Sequence, residues 1–325
     1  MSALLDIRNL SVAFDTDDGL LTAAENVSFS INPGEVVGLV GESGCGKSVT
    51  ALSLLRLIPM PPGKILSGEV LFDNRDLLRL PASELRTIRG RRISVIFQEP
   101  MSALSPLHRI GAQLVETLQL HLDIDHQAAW NNALDWLKKV GIPDPKERMR
   151  DYPYQLSGGM LQRVMIAMAL MLEPALIIAD EPTTALDVTI QAQVLELLRG
   201  MKTRESSLLL ITHDLGVVWE MCDRVMVMYA AKIVEEGSRD ELFNHPAHPY
   251  TQALLDSVIS LTSRTKRLSS IDGQVPSPLA YPAECRFAAR CKYAFDRCRR
   301  ELPPLYDIAP GRRCACFLSE ISNQT

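Results

Sequence analysis

Eight consecutive residues carry the clearest chemical signal in the chain. Gly41-Glu42-Ser43-Gly44-Cys45-Gly46-Lys47-Ser48 sets two glycines around four residues and follows them with Lys-Ser. Such glycines let successive backbone N–H groups converge on phosphate oxygens at the positive end of the following helix. In this pattern Lys47 reaches the outer phosphates and Ser48 ligates Mg2+. A second signal is the apolar run Leu176-Ile177-Ile178-Ala179 ending in Asp180-Glu181. A buried strand presents such carboxylates at its C-terminal end, where one can hold a cation and the other polarise an attacking water. Paired acids alone often only solvate a loop, so their meaning depends on the phosphate loop upstream. A third signal is Ser157-Gly158-Gly159-Met160, a Ser-Gly-Gly start to an apolar helix. Alone it is an ordinary N-cap, but its free N–H groups also make a second anion-facing surface. The fourth is a cluster: five of the seven cysteines (Cys285, Cys291, Cys298, Cys314, Cys316) fall in the last 41 residues. Thiols clustered this way in a reducing compartment read as metal ligands more readily than as disulfides, with free thiols as the plain alternative.

The elements that must position these residues alternate between strands and helices. Strands are expected over residues 4–10, 26–31 and 35–41, then a helix over 47–58 and strands over 69–72 and 93–98. From about 101 to 160 the apolar spacing turns helical, with Gly141 where a C-cap is expected. Alternation resumes with a helix from Gly158, a strand over 175–179, a helix over 189–201 and a strand over 207–212. Two more strands (224–229 and 232–236) precede a helix opened by the capping box Ser238-x-x-Glu241. This order implies a largely parallel sheet with helices on its faces. Past residue 260 periodicity fades into a Pro- and Cys-rich stretch.

Composition narrows the class. The chain has 325 residues, 46% hydrophobic and 22% charged, which suits about two globular domains and argues against extensive disorder. A net charge of -5 disfavours a dedicated nucleic-acid binder. The longest strictly apolar run, residues 164–172, is far short of the ~20 residues needed to cross a bilayer. The first residues lack a basic and an apolar segment of signal-peptide type. These features predict an intracellular protein that meets a membrane only through partners.

Taken together, the motifs resemble those of ABC-type ATPases over roughly residues 4–240. The resemblance implies an α/β, P-loop (RecA-like) core with an antiparallel β subdomain and a helical insertion. It implies an ATP-binding set of Phe14 (stacking on adenine), Gly41, Ser43, Gly44, Cys45, Gly46, Lys47, Ser48 and Val49. By the same likeness Gln98 is the Q-loop glutamine, Glu181 the general base and His213 the switch histidine on the γ-phosphate. Ser48, Gln98 and Asp180 would hold Mg2+, and Asp187 lies in the D-loop segment Thr184-Ala185-Leu186-Asp187. Ser157, Gly158, Gly159 and Met160 are the signature that completes a second subunit's ATP site; Met160 stands where the family usually has Gln. One set of motifs requires a second ATP-binding subunit, identical or related.

Two further segments resemble the oligopeptide/dipeptide importer branch, which also holds nickel and glutathione importers. They are His248-Pro249-Tyr250-Thr251-Gln252-Ala253-Leu254-Leu255 and the cysteine-rich tail. That likeness divides the chain into an ATPase domain (1–260) and a Cys/Pro-rich C-terminal extension (261–325). It aligns Cys285, Cys291, Cys298 and Cys316 as a [4Fe–4S] ligand set, while four thiolates would equally suit zinc. The segment Glu99 to Pro106 and the helical insertion would receive the membrane subunit, with Ser105 where the branch usually has Asn. The implied protein is the ATP-hydrolysing subunit of an importer for di- or oligopeptides or a related solute, with nickel or glutathione as the alternative cargo. It would sit peripherally on the cytoplasmic face of the membrane with two permeases and an external solute-binding protein. The competing readings are a soluble ABC ATPase of DNA repair or translation, a cluster-based sensor and a P-loop kinase. The first lacks its usual tandem domains here, the second predicts redox-dependent activity, and the third would not need the Ser157–Gly159 start.

Overall fold

The computed structural model describes residues 3–183, 188–201, 206–257 and 271–322. They form two compact units, one from 1–32, 36–79 and 211–325, the other from 33–35 and 80–210.

The first unit holds an antiparallel sheet in which Leu5–Thr16 lies between Gly19–Ile31 and Gly63–Phe72, with Arg75–Asp76 at the edge. Its hydrophobic face is set by Leu5, Ile7, Leu10 and Val12, each essentially fully buried. The hairpin closes at Thr16↔Gly19, with the turn in the polar stretch between them. The flanking strands run further than their apolar residues suggest. Leu20 and Glu25 belong to strand because backbone pairing continues where one face is solvated. Likewise the strand expected from 69 begins at Gly63.

The same unit carries the buried strand Val36–Val40 beside Arg224–Tyr229, in parallel register from Val37↔Arg224 to Val40↔Val227. Lys232–Ser238 adds antiparallel to Arg224–Tyr229, and Arg312–Cys314 then pairs with Lys232–Ser238 through Glu235↔Cys314. Tyr306–Ala309 closes that edge. This terminal hairpin returns the tail to the sheet. Helices Lys47–Leu54, Leu215–Met221, Arg239–Asn244, Pro249–Asp256 and Phe317–Ser322 also belong to the unit. The capping box is present: the Ser238 hydroxyl accepts from the Glu241 amide and the Glu241 carboxylate accepts from Ser238. Lys47–Leu54 stops before the expected residue 58 because Arg56 adopts a left-handed conformation, φ 53°.

The second unit holds Ile93–Ile96 parallel to Leu176–Asp180, with Ser207–Ile211 on the other side of Leu176–Asp180. Its helices Ile110–His121, His126–Lys139, Gly158–Leu170 and Val188–Met201 include the expected helical insertion. Asp125 caps His126–Lys139 by accepting from the Ala128 amide at 2.7 Å. Gly141 ends that helix at φ +72°, donating to the Lys138 carbonyl. The Arg163 guanidinium then takes the Val140 and Gly141 carbonyls, tying this helix end to Gly158–Leu170. Among the described residues, no helix is long and apolar enough to cross a membrane.

Candidate functional site

The phosphate loop begins where the buried strand Val36–Val40 runs out, and the backbone around it leaves glycine no substitute at two positions. At Gly41 (φ +152°) an added Cβ would lie 2.1 Å from the Met228 carbonyl oxygen. At Gly46 (φ +107°) it would lie 2.0 Å from that of Ala23. Lys47 begins the helix, is buried, and donates to the loop's own Gly41 and Glu42 carbonyls at 2.9 and 3.1 Å. The ammonium thus sits inside the curl of the loop, where an incoming phosphate can replace two neutral acceptors with charged ones. Cys45 is buried beneath the loop, and burial pushes its thiol pKa up. Ser43 and Gly44 are exposed, while Ser48 and Val49 are half-buried in the first helical turn.

Two other expected site residues lie in this unit. Phe14 is half-buried on Leu5–Thr16, opposite Leu21 and Gly63. His213 is exposed, immediately ahead of Asp214, which caps Leu215–Met221 by accepting from the Gly216 and Val217 amides.

In the second unit the sheet register brings Gln98 and Glu181 together. Ile96 pairs with Ala179 in parallel, so residues two further along each strand stand side by side. The Gln98 amide donates to the Glu181 carboxylate at 3.0 Å. Glu181 adopts φ 46°, an uncommon conformation for a non-glycine residue that ends the strand and turns its carboxylate out. Asp180, the last strand residue, is 5% exposed. Buried Gln162, from Gly158–Leu170, donates to the Pro182 carbonyl at 2.6 Å and holds the segment after Glu181. Asp187 lies outside the described residues.

The helix start at Ser157 is differently made. Its hydroxyl accepts from the Met160 amide at 3.4 Å, and Ser157 and Gly158 are exposed while Gly159 and Met160 are half-buried. Among the described residues, a Cβ at Gly158 would meet nothing within 4 Å, so their packing does not call for glycine there.

Cys285, Cys291, Cys298 and Cys316 line one small cavity of about 10 Å3, together with Phe287, Pro303 and Phe317. That is room for about one water. All seven cysteines are free thiols. Burial raises the thiol pKa of Cys285 and Cys291, and that of Cys316 to about 11. Among the described residues, no group of three or more His, Cys, Asp or Glu is arranged to hold a metal ion. The four cysteines therefore share a pocket without forming a ligand cage, and the expected cluster finds no support in their arrangement. Cys314, left out of that set, is fully buried on the strand opposite Glu235. A larger cavity of about 460 Å3 lies in the same unit. Its cations are already engaged, Arg286 and Lys232 by Glu25 and Arg313 by Glu236.

Sequence reasoning missed the partners of Glu42. Its backbone N–H donates to the Tyr250 hydroxyl at 2.9 Å, and its carboxylate accepts both terminal nitrogens of Arg290, at 2.7 and 3.0 Å. These contacts span more than 200 residues, and no local pattern signals them.

A glycine loop curled around a lysine, and a strand-end glutamate paired with a glutamine, define the class: a phosphate-loop nucleotide hydrolase. Residues 24–184 match the family described as ABC transporter, and residues 234–298 match the oligopeptide/dipeptide transporter C-terminal region. The chain is 50% identical to the probable peptide ABC transporter ATP-binding protein y4tR of Sinorhizobium fredii, covering 97% of this chain and 95% of that one. It is also 50% identical to the dipeptide transport ATP-binding protein DppD of Bacillus subtilis, over 98% and 96% of the two chains. Among solved structures, a dimeric post-hydrolysis state of the ATP-binding cassette MJ0796 with ADP and Pi superposes with a TM-score of 0.66. It is 28% identical, over 72% of this chain and 98% of that one. The chain belongs to the ABC transporter family, among its ATP-binding proteins with an oligopeptide/dipeptide C-terminal region, and is an ABC-type ATPase.

Proposed function

We propose that this ATPase powers uptake of di- or oligopeptides across the cytoplasmic membrane. It would act as a peripheral subunit on two permeases, with a second ATP-binding subunit and an external solute-binding protein. The observation that carries the catalytic half is the Gln98–Glu181 pair at the ends of two parallel strands. The peptide half rests on full-length likeness to chains named for peptide and dipeptide transport.

In this reading Lys47 leaves the Gly41 and Glu42 carbonyls for the β- and γ-phosphate oxygens, while the N–H groups of 41–48 cradle the β-phosphate. Phe14 stacks on adenine. The hydroxyl of Ser48, the carboxylate of Asp180 and the amide oxygen of Gln98 are oxygen donors of the kind a hard cation takes; they would hold Mg2+, which would supply neutralisation of phosphate charge. Glu181, oriented by Gln98, accepts a proton from water as its oxygen attacks the γ-phosphorus; the bond to the β,γ-bridging oxygen breaks and ADP leaves. His213 donates to the γ-phosphate. Ser157, Gly158, Gly159 and Met160 close over the nucleotide on the second subunit. The open space that the described residues leave at Gly158 supports this assignment, since it is room for an approaching ligand.

We read the chain past about residue 260 as a stabilising extension of the ATPase, its described residues lying in the same compact unit as Lys232–Ser238. The family likeness of the tail, rather than the arrangement of its thiols, is what favours a [4Fe–4S] cluster or zinc on Cys285, Cys291, Cys298 and Cys316, which would have to rearrange locally to bind it. Metal analysis and visible absorbance of anaerobically purified protein test that part. For the main reading, the complex is reconstituted in vesicles and labelled dipeptide uptake is followed. Uptake should require ATP and stop in Glu181→Gln; ATP-dependent uptake that persists in that variant would overturn it.

A further inference from the structure

We propose that Arg290 is a positioning residue for the phosphate loop, clamping it from the C-terminal extension through Glu42. The proposal rests on the reading of Gly41–Ser48 as the ATP site and adds the residue that holds that loop in shape.

The Arg290 side chain is 5% exposed, and each of its five N–H donors finds a partner. One terminal nitrogen donates to Glu42 Oε2 at 2.7 Å and to the Tyr229 hydroxyl at 3.3 Å. The other donates to Glu42 Oε1 at 3.0 Å and to the Ile271 carbonyl at 3.2 Å. Nε donates to the Asp272 carbonyl at 3.0 Å. The side chain is thus fixed before it meets the carboxylate, and the pair is bidentate. Gly273 makes room for it: a Cβ there would come within 3.2 Å of Arg290 Cγ, at φ +82°.

Glu42 is the second residue of the loop, so fixing it fixes the path on which the next N–H groups lie. Its backbone is pinned as well, through the Tyr250 hydroxyl. Tyr250 is wedged between Tyr229 and Phe287, at ring-centroid distances of 4.6 and 5.5 Å. Phe287 and Arg290 come from one short segment of the extension, between Cys285 and Cys291. That segment supplies both the wedge behind Tyr250 and the fork on Glu42. The fork has an electrostatic consequence too. A carboxylate within a triphosphate-binding loop opposes the ligand's charge, and Arg290 cancels it.

Hydrogen–deuterium exchange of residues 41–48 in the nucleotide-free full chain tests the clamp without relying on ATP. Arg290→Gln should raise exchange across that peptide by about tenfold or more, leaving the helix Gly158–Leu170 unchanged. Arg290→Lys keeps the charge but loses the fork, and should fall between wild type and Arg290→Gln. It also keeps the test decisive if the glutamine variant does not fold. In the assembled ATPase, the KM for ATP should rise about tenfold in Arg290→Gln with kcat within about twofold, since the loop binds but does not perform the proton transfer. Unchanged loop exchange in the folded variants, or a fall in kcat with KM unmoved, would overturn the proposal. Faster loop exchange in a protein whose wild type binds no ATP would uphold the clamp and count against the ATP-site reading instead.

Discussion

The loop at Gly41–Ser48 and the helix start at Ser157 are both glycine-rich turns that aim backbone N–H groups outward, yet the chain finishes only one of them. At the loop, Gly41 and Gly46 are required by carbonyls about 2 Å from where a Cβ would sit, and Lys47 is held by the loop's own oxygens. Glu42 is gripped by Tyr250 and Arg290. At the helix start, Ser157 caps its own turn and Gly158 faces open space. A glycine that packing demands is explained by the fold; one that packing ignores points to something that must approach. The difference fits a nucleotide held by the loop of one polypeptide and covered by the helix start of another.

The sharpest way to separate chemistry from clamping is Glu181→Gln. Losing the general base should cost about a thousandfold in turnover while ATP binding survives; single-turnover hydrolysis and nucleotide binding check this together. Gly46→Ala probes the loop as a structural demand. Left-handed strain plus the clash with Ala23 should destabilise the protein by about 3 kcal/mol, read from urea denaturation. The same kind of change at the other turn should behave in the opposite way. Gly158→Val should leave the denaturation midpoint near wild type but cut steady-state hydrolysis by about a hundredfold, because it blocks the approaching nucleotide. If both glycines prove equally costly to stability, the contrast between the regions fails.

The smallest effect concerns the frame behind the loop. Burial lowers the pKa of His248 to about 4, and its Nδ1 accepts from the Tyr250 amide to cap Pro249–Asp256. The folded protein keeps the ring neutral while the unfolded chain takes up a proton below about pH 6.5. Stability is therefore lost as pH falls from about 6.5 toward 4, by about 1–2 kcal/mol between pH 7 and 5. His248→Asn should remove that part of the pH dependence. The comparison also separates it from Glu235, whose carboxyl burial pushes up.

Much of the site was legible because its residues act through local backbone patterns. The phosphate loop, the Asp180-Glu181 strand end, the Ser157 cap and the Ser238 capping box each occupy a few adjacent positions. Strand limits were less legible where one face is wet: Leu20 and Lys64 extend strands whose apolar alternation has faded. The hairpin of Tyr306–Ala309 and Arg312–Cys314 has too few apolar residues to show a period, and its place is set by pairing with Glu235 and Glu236. The Glu42–Arg290 contact was invisible for a different reason. Two charged residues 248 positions apart carry no signal until the chain brings them together. The four-cysteine set came from likeness to the family's extension, and the described side chains share a pocket without forming a metal-binding group.

The central claim is that one nucleotide is enclosed by two polypeptides. Specific ATPase activity measured across a dilution series, with mass determined by light scattering on the same samples, addresses it directly. The account predicts that hydrolysis is confined to species containing two cassettes and disappears as they dissociate. Undiminished turnover per chain by the lone protomer would contradict it.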